Sequence, residues 1–190
     1  MPIVVLIVVG LLALWGIVTY NRLVRWRNRT REAWSGIDVQ LKRRYDLIPP
    51  LAEAVQEYSE HERELMPEIA RRRAQAVGAV GPIEQADAEN ALSSGLRAVF
   101  AVAEAYPDLK ASENFLDLQR NLTEVEDQIQ LARRYYNGSV RHYNNLVLSF
   151  PSLLVARLGG FRPAEFFEIE LATERRAPEV EMTPDRSNEE

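Results

Sequence analysis

Between Pro2 and Asn21 no side chain carries a charge, and five arginines follow at once: Arg22, Arg25, Arg27, Arg29 and Arg31. In a helix rising 1.5 Å per residue, about 20 such residues just cross the roughly 30 Å hydrocarbon core of a bilayer. Residues 1–21 are therefore expected to form a transmembrane anchor. The arginines lie C-terminal to the span, so the positive-inside bias places the rest of the chain in the cytoplasm and the amino terminus outside, in a single-pass protein of the inner membrane. A cleaved signal peptide would carry basic residues before its apolar core and a small-x-small site after it; Trp15-Gly16-Ile17-Val18-Thr19-Tyr20 has neither feature. A lipid anchor on cysteine is closed, because the chain has none.

The same absence removes disulfides, a thiol nucleophile and thiolate metal sites. The net charge is -5, with the strongest basic cluster beside the anchor, which points to anionic headgroups and not to nucleic acid. The arginine stripe is accordingly the expected lipid-facing surface.

Beyond the anchor every periodic stretch is helical, so the expected fold is all-α, an antiparallel bundle of about four long helices over residues 22–170. Leu23, Trp26, Thr30, Trp34, Ile37, Leu41 and Tyr45 form one stripe at steps of three or four, so the anchor should run straight into the first bundle helix. Asp46-Leu47-Ile48-Pro49-Pro50 should break or kink it, since proline lacks an N–H and disfavours α geometry before it. A second helix is expected over Leu51–Val77, kinked or divided by Pro67, and a third from Pro82 to about Tyr106. The fourth has the clearest signal: Phe115, Leu122, Ile129, Tyr136, Tyr143 and Phe150 recur every seven residues, with Leu118, Val125, Ala132, Ser139 and Leu146 between them. This heptad seam suits packing on neighbouring helices of the bundle. Phe161–Ile169 is aromatic and acidic and should dock back on the bundle; the tail over 171–190 is charged, proline-bearing and expected to be disordered.

Catalytic patterns fare poorly. His61-Glu62-Arg63-Glu64-Leu65 begins like a zinc-protease motif but has leucine where the second histidine belongs. Paired Glu-x-x-His elements for a di-iron bundle fail at Tyr58 and Ser139, which stand three before His61 and His142. No nucleophile elbow, phosphate loop or dinucleotide fingerprint occurs. No catalytic residue, cofactor or metal is expected.

The most distinctive run, Ala33-Trp34-Ser35-Gly36-Ile37-Asp38-Val39-Gln40-Leu41-Lys42-Arg43-Arg44-Tyr45-Asp46-Leu47-Ile48-Pro49, closely resembles the LemA family. Tyr20-Asn21, Ala88-Glu89-Asn90, Tyr106-Pro107-Asp108-Leu109-Lys110-Ala111, Asn114-Phe115, Ala132 to Asn137, Tyr143-Asn144 and Gly160-Phe161 match in the family's order. The resemblance implies one transmembrane helix with a cytoplasmic helical bundle and no settled reaction. Some relatives act in building magnetosome membranes or are associated with membrane proteases.

Physically, these motifs favour architecture. Tyr20-Asn21-x-Leu23-Val24 recurs at Tyr143-Asn144-Asn145-Leu146-Val147, so antiparallel helices could bring both Tyr-Asn pairs together in a register-fixing layer. Trp34 belongs with them as a register-fixing or partner-binding residue. Asp38, Arg43, Arg44 and Asp46 could pair with Glu89, Asp108 or Lys110 near bundle turns, or remain solvated surface charges worth under about 1 kcal/mol each. The function expected is a membrane scaffold or adaptor, assembling with itself or with another membrane protein such as a protease. A membrane-shaping role through the arginine stripe is the alternative, and an enzyme with an unrecognised site is the third reading.

Overall fold

A computed structural model describes residues 1–56 and 65–169. Among these the regular secondary structure is all helix: α1 (Pro2–Gln56), α2 (Leu65–Gly78), α3 (Pro82–Ala103), α4 (Pro107–Ala111), α5 (Glu113–Leu148) and α6 (Ser152–Leu158). Helix α1 is a single rod of about 80 Å at 1.5 Å per residue. Its first 18 residues are almost wholly uncovered by protein, and it is long and apolar enough there to cross a membrane.

The expected break at Asp46–Pro50 does not occur. Pro49 and Pro50 stand inside α1 and deprive the carbonyls of Tyr45 and Asp46 of their helical donors. The Arg73 side chain of α2 supplies one replacement, its Nε donating to the Tyr45 carbonyl at 2.8 Å, while Asp46 faces solvent. Leu51–Gln56 consequently belongs to α1. Tyr58 and His61 lie outside the described residues. The expected kink or division at Pro67 adjoins residues 57–64, which lie outside the described residues; from Leu65 to Gly78 the chain is helical.

Helix α2 packs closely on α3 at Gly95, where a β-carbon would come within 2.6 Å of Ile69 Cδ1. Helix α3 ends at Ala103, short of the expected Tyr106, because the chain turns and Pro107 opens α4. Helix α5 runs antiparallel to α1, as the ring pairs Trp26–His142 (4.7 Å) and Trp34–Tyr136 (5.2 Å) show. Its seam is buried from Phe115 through Leu118, Leu122, Val125, Ile129, Tyr136, Ser139 and Tyr143. The last heptad shifts by one residue: Val147 is buried, and Phe150, beyond the helix end, is exposed.

After α6, Gly160 takes a positive φ of 68° and turns the chain into an extended strap, residues 160–169. The strap docks on the bundle as its composition suggests. Phe161, Phe167 and Ile169 are buried, and Phe167 packs edge-on against Trp34 at 5.4 Å. The tail over 171–190 lies outside the described residues.

Candidate functional site

Helical geometry divides the arginine stripe into two faces. Arg22, Arg25 and Arg29, spaced three and four apart, share an exposed face with Trp26, Asn28 and Glu32. Arg29 lies over the Trp26 ring at 5.2 Å, and Trp26 in turn stacks on His142. Arg27 and Arg31, one turn apart, point instead into a cleft of about 690 Å³ between α1 and the strap. Trp34, Tyr136, Tyr143, Phe161, Arg162 and one carboxylate, Glu165, complete its chemically distinctive lining. A volume of this order is typical of ligand-sized clefts.

Three arginines against the single carboxylate of Glu165 leave the cleft net basic. Among the described residues, no carboxylate lies within ion-pair distance of Arg27, Arg31 or Arg162. Arg27 rests its guanidinium over the Phe161 ring at 5.0 Å, and its buried Nε has no hydrogen-bond acceptor. Burial raises the Tyr143 hydroxyl's pKa, an effect partly opposed by Arg27 and Arg31. Burial and nearby Glu165 push Tyr136 up to about 12. Both phenols are thus neutral donors at physiological pH.

The strap that forms the cleft's outer wall is held by side chains of α5 acting on its backbone. Asn144 accepts from the Ala164 N–H and donates to the Ala164 carbonyl, both at 2.8 Å. One heptad earlier, Asn137 does the same to Phe167, each bond at 2.9 Å. Tyr136 donates to the Glu165 carbonyl at 2.8 Å, and Arg133 donates to that of Ile169 at 2.6 Å. An extended segment with no sheet neighbour thereby has the N–H groups of Ala164 and Phe167 and the carbonyls of Ala164, Glu165, Phe167 and Ile169 satisfied.

This clamp replaces the expected Tyr-Asn layer. Tyr143 is buried and Tyr20 meets Phe161 edge-on at 5.4 Å, but Asn21 is exposed and Asn144 is committed to the strap. The seven-residue spacing of Asn137 and Asn144 was the available signal for the clamp, while nothing local to Arg162 marked it as a cleft residue.

Around the middle of α1 the expected charges separate. Asp38, Arg43 and Asp46 are exposed, whereas Arg44 is buried and pairs with fully buried Glu89 at 3.0 Å. Arg44 also reaches the Ser93 hydroxyl at 2.7 Å and Glu126 at 3.4 Å. The second Glu89 oxygen accepts from the Tyr45 hydroxyl and from Gln85 Nε2 at 3.0 Å. Solvated surface pairing is therefore wrong for Arg44. Desolvation raises Glu89's pKa, although Arg44, Tyr45 and Gln85 oppose the shift. Tyr45 is raised as well, by burial and by the Glu89 charge.

The profile of the LemA family matches residues 33–182. The chain belongs to the LemA family. The matched span includes the Arg44–Glu89 network, the asparagine clamp and all of the cleft except Arg27, Thr30 and Arg31; the arginine stripe precedes it. Among similar proteins are magnetosome protein MamQ 1 of Paramagnetospirillum magneticum, 25% identical over 178 residues, covering 80% of this chain and 65% of that protein. Magnetosome protein MamQ of Magnetospirillum gryphiswaldense is 21% identical, covering 87% of this chain and 72% of its own length. Protein LemA of Metamycoplasma hominis is 28% identical over 141 residues, covering 72% of this chain and 63% of its own length. This LemA-family chain thus spans about 65% of the length of the first of these relatives. The chain is a membrane-associated helical protein.

Proposed function

We propose that this chain is a membrane-anchored, non-enzymatic scaffold that holds its bundle against the cytoplasmic face of the inner membrane and assembles with itself or another membrane protein. The observation that carries this reading is the basic, aromatic cleft beside the anchor. Its three arginines lack ion-pair partners among the described residues, and its phenols and indole offer flat apolar contact area. Such a surface suits an acidic segment of a neighbouring protein. Confinement to one membrane raises the effective concentration of anchored partners, so contacts too weak for solution suffice.

Native mass spectrometry of the complex gently extracted from its own membrane tests the reading. A homomeric assembly or a reproducible companion protein, lost on Arg27→Glu with Arg31→Glu, is expected. A bare monomer in both forms sinks it. Orientation has its own test in a cysteine-free chain. A Ser187→Cys variant should resist a membrane-impermeant maleimide in intact cells and react after lysis; labelling of intact cells overturns the topology.

A second reading, membrane shaping, is supported by the exposed Arg22, Arg25 and Arg29 face and by similarity to proteins named for the magnetosome. It predicts that the pure protein remodels anionic liposomes and that Arg25→Glu with Arg29→Glu abolishes the effect. Unchanged liposomes alongside an intact partner complex would eliminate it.

A further inference from the structure

We propose that the corner joining α5 to α6 is a second membrane contact, an apolar wedge seated in the interfacial layer of the leaflet next to the bundle. Four large apolar side chains cluster in sequence there and face away from protein: Leu148 is 60% exposed, Phe150 79%, Leu154 52% and Leu158 91%. The inner side of α6 is fully occupied, since Ala156 is buried against Leu23, Tyr143, Val147 and Phe161. The exposed residues are therefore an outer face and not an unfilled part of the core.

What covers that face is set by its depth. A β-carbon on Gly159, next to Leu158, would lie 3.2 Å from the Tyr20 ring. Continuing the Trp34–Tyr136 and Trp26–His142 pairings along antiparallel helices brings Leu148–Phe150 beside Thr19 and Tyr20. Thr19 is buried although it belongs to the uncharged stretch before Arg22, so protein atoms flank the anchor inside the span. Thr19 precedes Arg22 by three residues, about 4.5 Å of helix, which lies within the headgroup and upper acyl boundary. A corner at that level must meet lipid, and its side chains are of the kind lipid favours. Arg157, exposed on α6 beside Leu158, carries its charge on a long stem able to reach the phosphates.

The inference rests on the membrane-spanning reading of α1 and is independent of the scaffold role. It predicts that the protein touches its leaflet on one side of the anchor only, which tilts the bundle and displaces lipid asymmetrically.

Single-cysteine variants of the full chain, labelled with an environment-sensitive fluorophore and reconstituted into vesicles containing brominated lipids, test it. Phe150→Cys and Leu158→Cys replace exposed side chains, so folding is retained. Both labels should emit as in an apolar medium and be quenched by bromolipid several-fold more than a label at Leu131→Cys, an equally apolar exposed site on α5 remote from the anchor. Quenching no greater than at Leu131→Cys overturns the proposal. Apolar emission without bromolipid quenching also overturns it, because another protein or a second copy then covers the corner. A label at Leu12→Cys inside the span must be quenched in every case; its failure would overturn the anchor reading along with the wedge.

Discussion

Arg44 and Arg27 lie on the same helix about 25 Å apart and both turn toward α5, yet their surroundings differ in kind. Arg44 has a buried carboxylate, a hydroxyl and a second carboxylate within reach. Arg27 has an aromatic ring under its guanidinium, a buried Nε with no acceptor, and an open cleft in front. At Arg44 the protein has supplied every counter-group from α3 and α5. At Arg27 it has supplied only the apolar walls. A cation closed off by its own fold fixes helix register, while one left incomplete is free to recognise something else. The membrane-distal half of the bundle closes its cation off, and the proposed recognition falls to the anchor-proximal half, where Arg27 has no counter-group among the described residues.

The same substitution at both positions sets the halves against each other. Arg44→Met strands Glu89 as a buried carboxylate, and removal of one partner of a buried pair costs about 3–5 kcal/mol. Chemical unfolding of the solubilised protein should show this loss, and a cost below about 1 kcal/mol would mean the network is merely incidental. Replacing both partners, Arg44→Met with Glu89→Leu, should recover most of the loss, since an apolar pair needs no desolvation of charge.

The pH dependence of stability sharpens the distal side. Desolvation holds Glu89 above its ordinary value of 4.5, so the folded state binds this proton more tightly than the unfolded state. Its contribution is therefore fully present below 4.5 and is lost as pH rises through the folded value. In Arg44→Met the opposing guanidinium is gone, the folded value climbs further, and the decline should continue to higher pH than in the parent. Glu89→Gln should flatten this part of the profile. An unchanged profile in Glu89→Gln would show that some other carboxyl governs it.

The wall of the cleft comes next in size. Asn137→Ala with Asn144→Ala deletes four hydrogen bonds to the strap backbone, together worth about 2–4 kcal/mol at the usual net value per bond. The loss should be local. Amide exchange at Ala164 and Phe167 should accelerate strongly while the α1–α5 seam stays protected. Uniform acceleration across the bundle would mean that the strap is part of the core and not a wall laid over it.

How much of this was legible depended on whether the determining contact was local. The all-α class and the α5 seam follow from periodicity within single segments, and the structure keeps them; the uncharged run yields a helix long and apolar enough to span a membrane. Arg44 and Glu89 were candidates as members of distinctive motifs, but only the packing of α3 on α1 shows that they are buried. The unbroken passage of α1 through Pro49 and Pro50 is not legible locally, because one freed carbonyl is answered by Arg73, a side chain 28 residues from Tyr45. Phe150 was assigned to the seam by heptad count, although α5 ends before it and the corner turns it outward. The cleft was invisible, since Arg162 enters it only because the strap folds back along α5.

The smallest expected change in stability is at the cleft itself. Arg27→Met removes a buried donor that has no acceptor and keeps an unbranched chain beside the Phe161 ring, so stability should change by no more than about 0.5 kcal/mol. Against the several kcal/mol expected for Arg44→Met, that near-neutrality would itself establish that α1 carries a cation its own fold does not need. The functional reading must move the other way. In membranes, Arg27→Met should lose the companion or the self-assembly seen by native mass spectrometry, while Arg44→Met, if it still folds at low temperature, should retain it. If Arg27→Met destabilises the protein as much as Arg44→Met does, the cleft is a structural cavity, and the division of α1 into a register-fixing half and a recognising half fails.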